Sequence, residues 1–312
     1  MENLRLSFQV VLPLFLMLAL GYGVRCLKLM DDKSLRMANN LVFRVFLPIM
    51  LFMNIYNARG KVVFRPALAL FAMGCVLATF LLAFLLIPRL ENENARRGVL
   101  IQGIFRSNFT LFGVPLTVSL LGEGNEGMTS LLIAVVIPLY NVLAVVILEY
   151  YRGGRPDGGK ILKGIVTNPL IIASLLAILF LLTGLRFPAV IEKTAGDLGG
   201  VATPLALVIL GASFRFEKVR GYARQLLLGV AGRLVVVPLL FLPLAVLLGF
   251  RGAELTALLA MLASPAAIAS FTMAQQLGGD DELAGQLLVF SSAFSMVTIF
   301  LWVLVLKQLC LL

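Results

Sequence analysis

The sequence predicts an all-α integral membrane protein of about ten transmembrane helices, built as two inverted five-helix repeats in which helices 4 and 9 are broken. Three observations predict this class: a strongly apolar composition, regularly spaced apolar runs, and prolines that recur at half the chain length. Of the 312 residues, 60% are apolar and only 13% are charged, with a mean hydropathy of +1.01. A soluble domain is about 45–50% apolar and about 25% charged, so a water-soluble globule could not bury this much apolar surface.

The composition also excludes several kinds of chemistry. The chain has no histidine, which excludes histidine-based acid–base catalysis, histidine metal sites and Ser-His-Asp triads. Cys26, Cys75 and Cys310 stand at no metal or redox spacing, and we interpret them as packing residues. The net charge of +10 lies in the predicted loops and indicates membrane topology rather than nucleic-acid binding. We therefore expect no enzyme activity, no metal and no cofactor.

Apolar runs between charge clusters place the helices along the chain. The first run lacks a small-residue cleavage site and is interpreted as a span, not a signal peptide. The division is a first repeat at 1–151, a short basic linker at 152–160 and a second repeat at 161–312. The predicted helices cover about 7–27, 38–56, 67–88, 98–121, 128–150, 161–184, 197–214, 222–249, 254–277 and 283–309.

The distribution of basic residues predicts the orientation. The loops that follow odd-numbered helices hold 15 Lys and Arg residues, and the termini and other loops hold 8. Because the richer set faces the cytoplasm, we expect both termini outside the cytoplasm in a multi-pass protein of the cell (inner) membrane.

Proline spacing is the basis for the repeat. Pro13 and Pro169 are 156 residues apart, and so are Pro48 and Pro204, where 156 is half of 312. Five helices per half is an odd number, so the second half must enter the membrane from the opposite side, as in many secondary transporters. The alternative is that 13 prolines fall into register by chance.

Two further prolines predict the breaks in helices 4 and 9. Pro115 and Pro265 lie at similar places in these helices, and an internal proline removes a backbone hydrogen bond. Ser264 would be the N-cap and Pro265 the first residue of a new half-helix; Gly113 with Pro115 gives a weaker version of this signal. Half-helix N-termini near mid-membrane would favour an anion. The alternative is a simple kink with no ligand.

Polar residues near these prolines are candidates for a site. Arg106, Asn108 and Thr110 lie in helix 4, and Asn141 lies in helix 5. Arg106 could instead reach the cytoplasmic surface, and the neutral groups could be interhelical hydrogen-bond partners.

Two other intramembrane arginines have weaker functional signals. We interpret Arg44 as mainly structural and expect Arg233 to pair with an acidic residue, with Glu149 as the candidate.

Several motifs, in order and at matching spacing, resemble those of the auxin efflux carrier family, which includes the plant PIN auxin exporters and bacterial malonate or malate permeases. The resemblance implies a ten-helix elevator-type carrier with the general architecture of bile-acid symporters. Helices 1, 2, 6 and 7 would form a scaffold, helices 3–5 and 8–10 a moving transport domain, and the substrate would lie where helices 4 and 9 cross. The motifs are Asn40 with Pro48, Asn108-x4-Gly113-x-Pro115, Glu149-Tyr-Tyr-Arg-Gly-Gly, Asn168-Pro169, and Pro265 followed by Phe271.

The sequence departs from the plant pattern in ways that favour a smaller, more polar ligand than auxin. The plant exporters carry a large cytosolic domain where this chain has about ten residues. Ala266 stands where they have glutamine, and Asn141 replaces an aromatic residue.

We therefore predict a secondary transporter of a small organic anion, such as malonate, malate or an auxin-like acid. A sodium-coupled symporter of the bile-acid type and, more remotely, a membrane enzyme or sensor are the alternatives. The expected partners are the substrate and the lipid bilayer, and not nucleic acid; coupling to protons or to the membrane potential and a homodimeric assembly stay open. The predicted substrate-binding residues are Arg106, Asn108, Thr110, Gly113, Pro115, Asn141, Ser264, Pro265 and Ala266.

Overall fold

The computed structural model describes residues 2–58, 65–153 and 158–312, and within these residues it contains α-helices and no β-strand. Short π-helical turns cover Val42–Phe46 and Gly232–Val236, and a 3₁₀ segment covers Phe216–Tyr222. The helices are α1 (Glu2–Cys26), α2 (Asp32–Leu41), α3 (Leu47–Tyr56), α4 (Pro66–Leu90), α5 (Asn94–Phe105), α6 (Phe109–Leu121), α7 (Gly127–Tyr151), α8 (Gly158–Thr167), α9 (Pro169–Thr183), α10 (Ala189–Ser213), α11 (Ala223–Ala231), α12 (Val237–Leu247), α13 (Gly252–Ala263), α14 (Ile268–Leu277) and α15 (Asp281–Gln308).

The lengths and compositions of these helices are those of a multi-pass membrane protein. Within the described residues, six helical segments are long and apolar enough to cross a membrane, or seven if the bent pair α8 and α9 is one span. Two of the six are composite: one runs continuously from Asp32 to Tyr56 and the other from Phe216 to Leu247. The all-helical membrane class that the composition predicts is thus confirmed.

Helices 4 and 9 of the sequence prediction are both interrupted. α5 ends at Phe105 and α6 begins at Phe109, while α13 ends at Ala263 and α14 begins at Ile268. The two extended linkers, residues 106–108 and 264–267, lie antiparallel and form a single β-bridge. The Asn108 N–H donates to the Pro265 carbonyl at 2.7 Å, and the Ala267 N–H donates to the Arg106 carbonyl at 3.3 Å. We call this paired segment the crossover; its pairing satisfies backbone groups that no helix satisfies there.

The positions of the breaks correct the proline argument. The break in helix 9 includes Pro265 as predicted, but the break in helix 4 comes well before Pro115, which lies inside α6. Proline costs α6 one backbone hydrogen bond without ending it. Ser264 is not an N-cap: its hydroxyl donates to the Ala260 carbonyl at the end of α13, and Ala267 precedes α14. The reason is that residues 264–267 remain extended in order to pair with the other linker.

Other boundaries also differ from the prediction. Helix 6 consists of α8 and α9, bent by 53°, because Asn168 starts a new helix by accepting a bond from the Leu170 N–H at 2.9 Å. α10 begins at Ala189, eight residues before the predicted start at 197, so a segment that carries Glu192 and Lys193 precedes the predicted span. Residues 154–157 of the predicted linker at 152–160 lie outside the described residues, and α8 already begins at Gly158.

Packing divides the helices into two groups. α1 packs mainly against α10, and α3 packs mainly against α9 and α10. The backbones of α1 and α10 touch at two glycines: a Cβ on Gly21 would lie 2.1 Å from the Val208 carbonyl oxygen, and one on Gly211 would lie 2.1 Å from that of Leu18. Such small-residue contacts hold membrane helices closely together. α2 packs against α10 and the π-helical turn Val42–Phe46 and so belongs with these helices. Most of the remaining helices and the crossover pack mainly among themselves.

Candidate functional site

A cavity of about 220 Å³ lies beside the crossover, between the two groups of helices. α3 and α10 form one wall, and the crossover with α6, α7 and α14 forms the other. Its lining residues are Leu47, Met50, Leu51, Asn54, Arg106, Ser107, Asn108, Thr110, Leu111, Ile137, Tyr140, Thr203, Ala267, Ile268 and Ala269.

Two asparagine side chains bring unused hydrogen-bond donors to this cavity. The Nδ2 atoms of Asn108 and Asn54 are both buried and have no hydrogen-bond partner. Asn108 is the residue that precedes α6, yet its side chain makes no capping bond to that helix. Buried polar groups are normally satisfied, so two unpaired amides facing one cavity indicate a place for a hydrogen-bond acceptor.

Arg106 places a positive charge in the same wall. Its side chain is only 3% exposed and donates to the Met273 sulfur and, at 2.7 Å, to Asn141 Oδ1. Asn141 in turn donates to the Ser174 hydroxyl at 3.1 Å. No carboxylate among the described residues forms an ion pair with Arg106. A buried charge needs compensation, and here the protein supplies only neutral partners.

Two helix N-termini also meet at the cavity. Thr110 and Leu111 belong to the first turn of α6, and Ile268 and Ala269 begin α14. The first N–H groups of a helix lack intrahelical partners and carry a partial positive charge, which favours an anion. The Ser107 and Tyr140 hydroxyls, 3.2 Å apart, add two further polar groups.

The structure thus brings three of the nine predicted site residues to the cavity: Arg106, Asn108 and Thr110. Asn141 lies behind Arg106 and holds its guanidinium group. Gly113 has a packing role in α6, since an added Cβ would lie 2.8 Å from the Phe109 ring.

The other four predicted residues do not line the cavity. Pro115 lies in the interior of α6, and Ser264 ends α13. Pro265 accepts the Asn108 N–H, and the Ala266 N–H donates to the Ser291 hydroxyl at 3.1 Å. Ser264, Pro265 and Ala266 thus belong to the crossover but, like Pro115, do not line the cavity.

The sequence argument missed residues of the opposite wall. Asn54 and Thr203 were not distinguished from the apolar helices that carry them. An asparagine near the end of an apolar span such as 47–56 was the available signal for Asn54. No comparable signal marked Tyr140 or the small residues at the start of α14.

The predicted pairing of Arg233 with Glu149 is wrong. Arg233 is 2% exposed and bonds to five backbone carbonyls at the ends of α5 and α13. Glu149 pairs instead with Arg152 at 3.0 Å. Arg44 is exposed and bonds to Asn40 one turn earlier at 2.9 Å, away from the cavity.

Comparison with known proteins identifies the class. The profile described as membrane transport protein matches residues 6–155 and 158–303. The chain therefore belongs to the membrane transport protein family, which is the auxin efflux carrier family that its motifs resemble. It is 26% identical over 306 residues to an uncharacterized transporter of Methanothermobacter thermautotrophicus, covering 96% of this chain and 98% of that one. It is 24% identical over 308 residues to an uncharacterized transporter of Methanocaldococcus jannaschii, covering 95% and 98%.

Proposed function

We propose that this transporter carries a small organic anion, a mono- or dicarboxylate such as malonate or malate, and binds it in the cavity beside the crossover. The observation that carries the proposal is the pair of unpartnered amide donors of Asn54 and Asn108 next to Arg106, which has no acidic partner among the described residues. All of these groups donate hydrogen bonds or carry positive charge. A carboxylate accepts hydrogen bonds and supplies the missing negative charge.

The cavity also favours a small ligand. Its volume of about 220 Å³ is below the roughly 300–1,000 Å³ of pockets for drug-sized ligands. The apolar side chains of Leu47, Leu51 and Ile137 line the remainder, so a short carbon chain would fit between the polar groups and the opposite wall. One carboxylate would accept hydrogen bonds from the helix N-termini and from the Asn108 side chain. The second carboxylate of a dicarboxylate would pair with Arg106.

The mechanism we propose is an elevator-type movement of the crossover and the helices packed around it, α4–α7 and α11–α15, against the group of α1, α2, α3, α9 and α10. The cavity lies between the two groups, so a displacement of one group would change the side from which the cavity is reached. The two halves would be inverted five-helix repeats. In support, Pro13 and Pro169 are 156 residues apart, and so are Pro48 and Pro204.

We place the protein in the cell membrane with both termini outside the cytoplasm and the linker at 152–160 inside. The excess of basic residues in the loops after odd-numbered helices supports this orientation. A cysteine introduced at Asp157 tests it in intact cells after the native cysteines are replaced. Labelling of that cysteine by a membrane-impermeant reagent from outside would reverse the topology.

Ligand binding is tested by thermal unfolding of the purified protein with sodium acetate, lactate, malonate, malate and succinate, and with sodium chloride as the control. A ligand that binds only the folded state raises the midpoint of thermal unfolding. At a ligand concentration of a hundred times the Kd, the folded state is stabilised by about 2.7 kcal/mol. The acid with the largest shift is then used in uptake into liposomes. Exchange of sodium for choline, an imposed pH gradient and an imposed potential separate sodium, proton and potential coupling. Absence of any shift beyond chloride would contradict a carboxylate substrate.

A further inference from the structure

Arg233 holds together the ends of two different helices. Its Nε donates to the Ser264 carbonyl at 2.8 Å, and its terminal nitrogens donate to four more carbonyls at 2.6–3.3 Å. A guanidinium group has five N–H donors, so the number of acceptors equals the number of donors. The other four acceptors are Ile104 and Phe105 at the end of α5, and Met261 and Leu262 at the end of α13.

Four helix ends meet at the crossover, and their charges oppose one another. The N-termini of α6 and α14 each carry about half a positive charge, and the C-termini of α5 and α13 each carry about half a negative charge. By themselves these four ends sum to zero. The two negative ends are the ones that Arg233 contacts, while the two positive ends face the cavity.

We infer that Arg233 is a positioning residue for anion selectivity: its charge cancels the two negative helix ends, so the cavity retains a positive potential. Its consequence for transport rests on the proposed function, whereas the potential itself does not. Arg233 does not line the cavity, and so it acts through the crossover rather than by touching the substrate. Arg106, in contrast, faces the cavity directly.

A purely structural role would give a different dependence on the residue at this position. Lysine keeps the charge but has three donors in place of five, while glutamine has two donors and no charge. If Arg233 only satisfies carbonyls, both variants disturb the crossover in proportion to the hydrogen bonds that they lose. If its charge sets the potential of the cavity, lysine keeps the positive potential that glutamine loses.

The potential is measured without any substrate by the reactivity of a cysteine in the cavity. Thr110→Cys is introduced into a chain in which Cys26, Cys75 and Cys310 are replaced by alanine, and Asn54→Cys is made separately as a second reporter. The purified protein reacts with a negatively charged sulfonatoethyl and a positively charged trimethylammonioethyl methanethiosulfonate. The ratio of the two rates reports the sign and size of the local potential.

We expect the ratio of anionic to cationic reagent rates to fall at least about fourfold in Arg233→Gln, since the two reagents feel one lost charge with opposite sign. Arg233→Lys should stay within about twofold of the parent on the same reasoning. The matched control is Arg251→Gln: Arg251 also donates to carbonyls at a helix end, Val246 and Phe250 at 2.7 and 2.8 Å, but it is exposed. Its ratio should equal that of the parent.

An unchanged ratio in Arg233→Gln, or an equal fall in Arg233→Lys, would overturn the inference. Monodisperse elution on size-exclusion chromatography is required of each variant. If Arg233→Gln does not fold, Arg233→Lys decides by itself, because raising the pH discharges an introduced amine but not a guanidinium.

In that case the ratio of anionic to cationic reagent rates must fall more steeply in Arg233→Lys than in the parent as the pH is raised. Parallel pH dependences in the two proteins would overturn the inference. Tyr140 and Arg106 line the same cavity and are common to both proteins, so the parent corrects for their effect on the ratio. A fall in the ratio without binding of any carboxylate would leave the inference standing and refute the proposed substrate class.

Discussion

The two linkers of the crossover pair with each other but bring different chemistry to the cavity. Residues 106–108 are arginine, serine and asparagine, and all three side chains line the cavity. Residues 264–267 are serine, proline and two alanines, of which only Ala267 lines it. The first linker therefore supplies side-chain hydrogen-bond donors. The second linker supplies backbone groups, and its small side chains leave room for a ligand. Substitutions in the first linker should weaken anion binding by removing donors or positive charge. Substitutions in the second linker should weaken it by adding a negative charge.

The largest effect should come from adding a charge to the second linker. Ala267→Asp places a carboxylate at the start of α14, where aspartate is a good N-cap, so folding should be preserved. Two negative charges about 4 Å apart repel by about 4 kcal/mol at an effective dielectric constant of 20, which lowers carboxylate affinity roughly a thousandfold. Ala267→Asn is the matched neutral control and should lose less than about tenfold. Equal binding by the two variants, measured by thermal shift, would show that no anion binds near α14.

Removal of charge from the first linker should have the next largest effect. Arg106→Gln should lower dicarboxylate affinity about a hundredfold and monocarboxylate affinity about tenfold, because only the former needs a second charged partner worth about 3 kcal/mol. Arg106→Lys keeps the charge, so its affinity for malonate should lie between those of Arg106→Gln and the parent. The ratio of malonate to acetate affinities is the decisive measurement, and an equal loss for both acids would refute the selective role.

Removal of one neutral donor should cost less. Asn108→Ala should weaken the binding of every carboxylate by about 1.5–3 kcal/mol, or roughly ten- to a hundredfold in affinity, because a hydrogen bond to an ionised group is lost. The side-chain Nδ2 of Asn108 has no hydrogen-bond partner within the described residues, so the folded protein should keep its stability. Asn125→Ala is the control, because Asn125 is exposed and bonds to the Leu121 carbonyl at the other end of α6. Normal binding by Asn108→Ala would place the site elsewhere.

The smallest effect should come from the proline that first suggested a break in helix 4. Pro115 lies inside α6 and does not line the cavity. Pro115→Ala restores a backbone donor and should change carboxylate affinity by less than about twofold, with an unfolding midpoint equal to or above that of the parent. A large loss of affinity would mean that Pro115 shapes the cavity after all.

These contrasts show what the sequence predicts well here and what it does not. Apolar runs and charge clusters identify the membrane class and the helical segments, because both follow directly from the cost of polar groups in hydrocarbon. Pro115 misplaces one break, since a proline in a membrane helix kinks it as readily as it ends it. The pairing of residues 106–108 with 264–267 is a tertiary interaction between distant segments, and no local pattern encodes it.

The candidate site was predictable in part for the same reason. Arg106 and Asn108 stand out as polar residues in an apolar span, and both line the cavity. Asn141 stands out equally but supports Arg106 from behind, because which face of a helix meets the cavity depends on packing. The five acceptors of Arg233 are backbone groups, and side-chain identities give no sign of them.

The position of Arg233 in the chain has a consequence for synthesis and membrane insertion. Two of its acceptors are made 128 and 129 residues before it, but the other three are made only 28 to 31 residues after it. An arginine at the centre of a single membrane helix costs about 2.5–3.5 kcal/mol on translocon-insertion scales. We therefore expect the helix that carries Arg233 to insert stably only together with α13. In chains truncated after residue 250 and released from the ribosome, glycosylation mapping should show that helix incompletely inserted, and Arg233→Leu should insert at the same length.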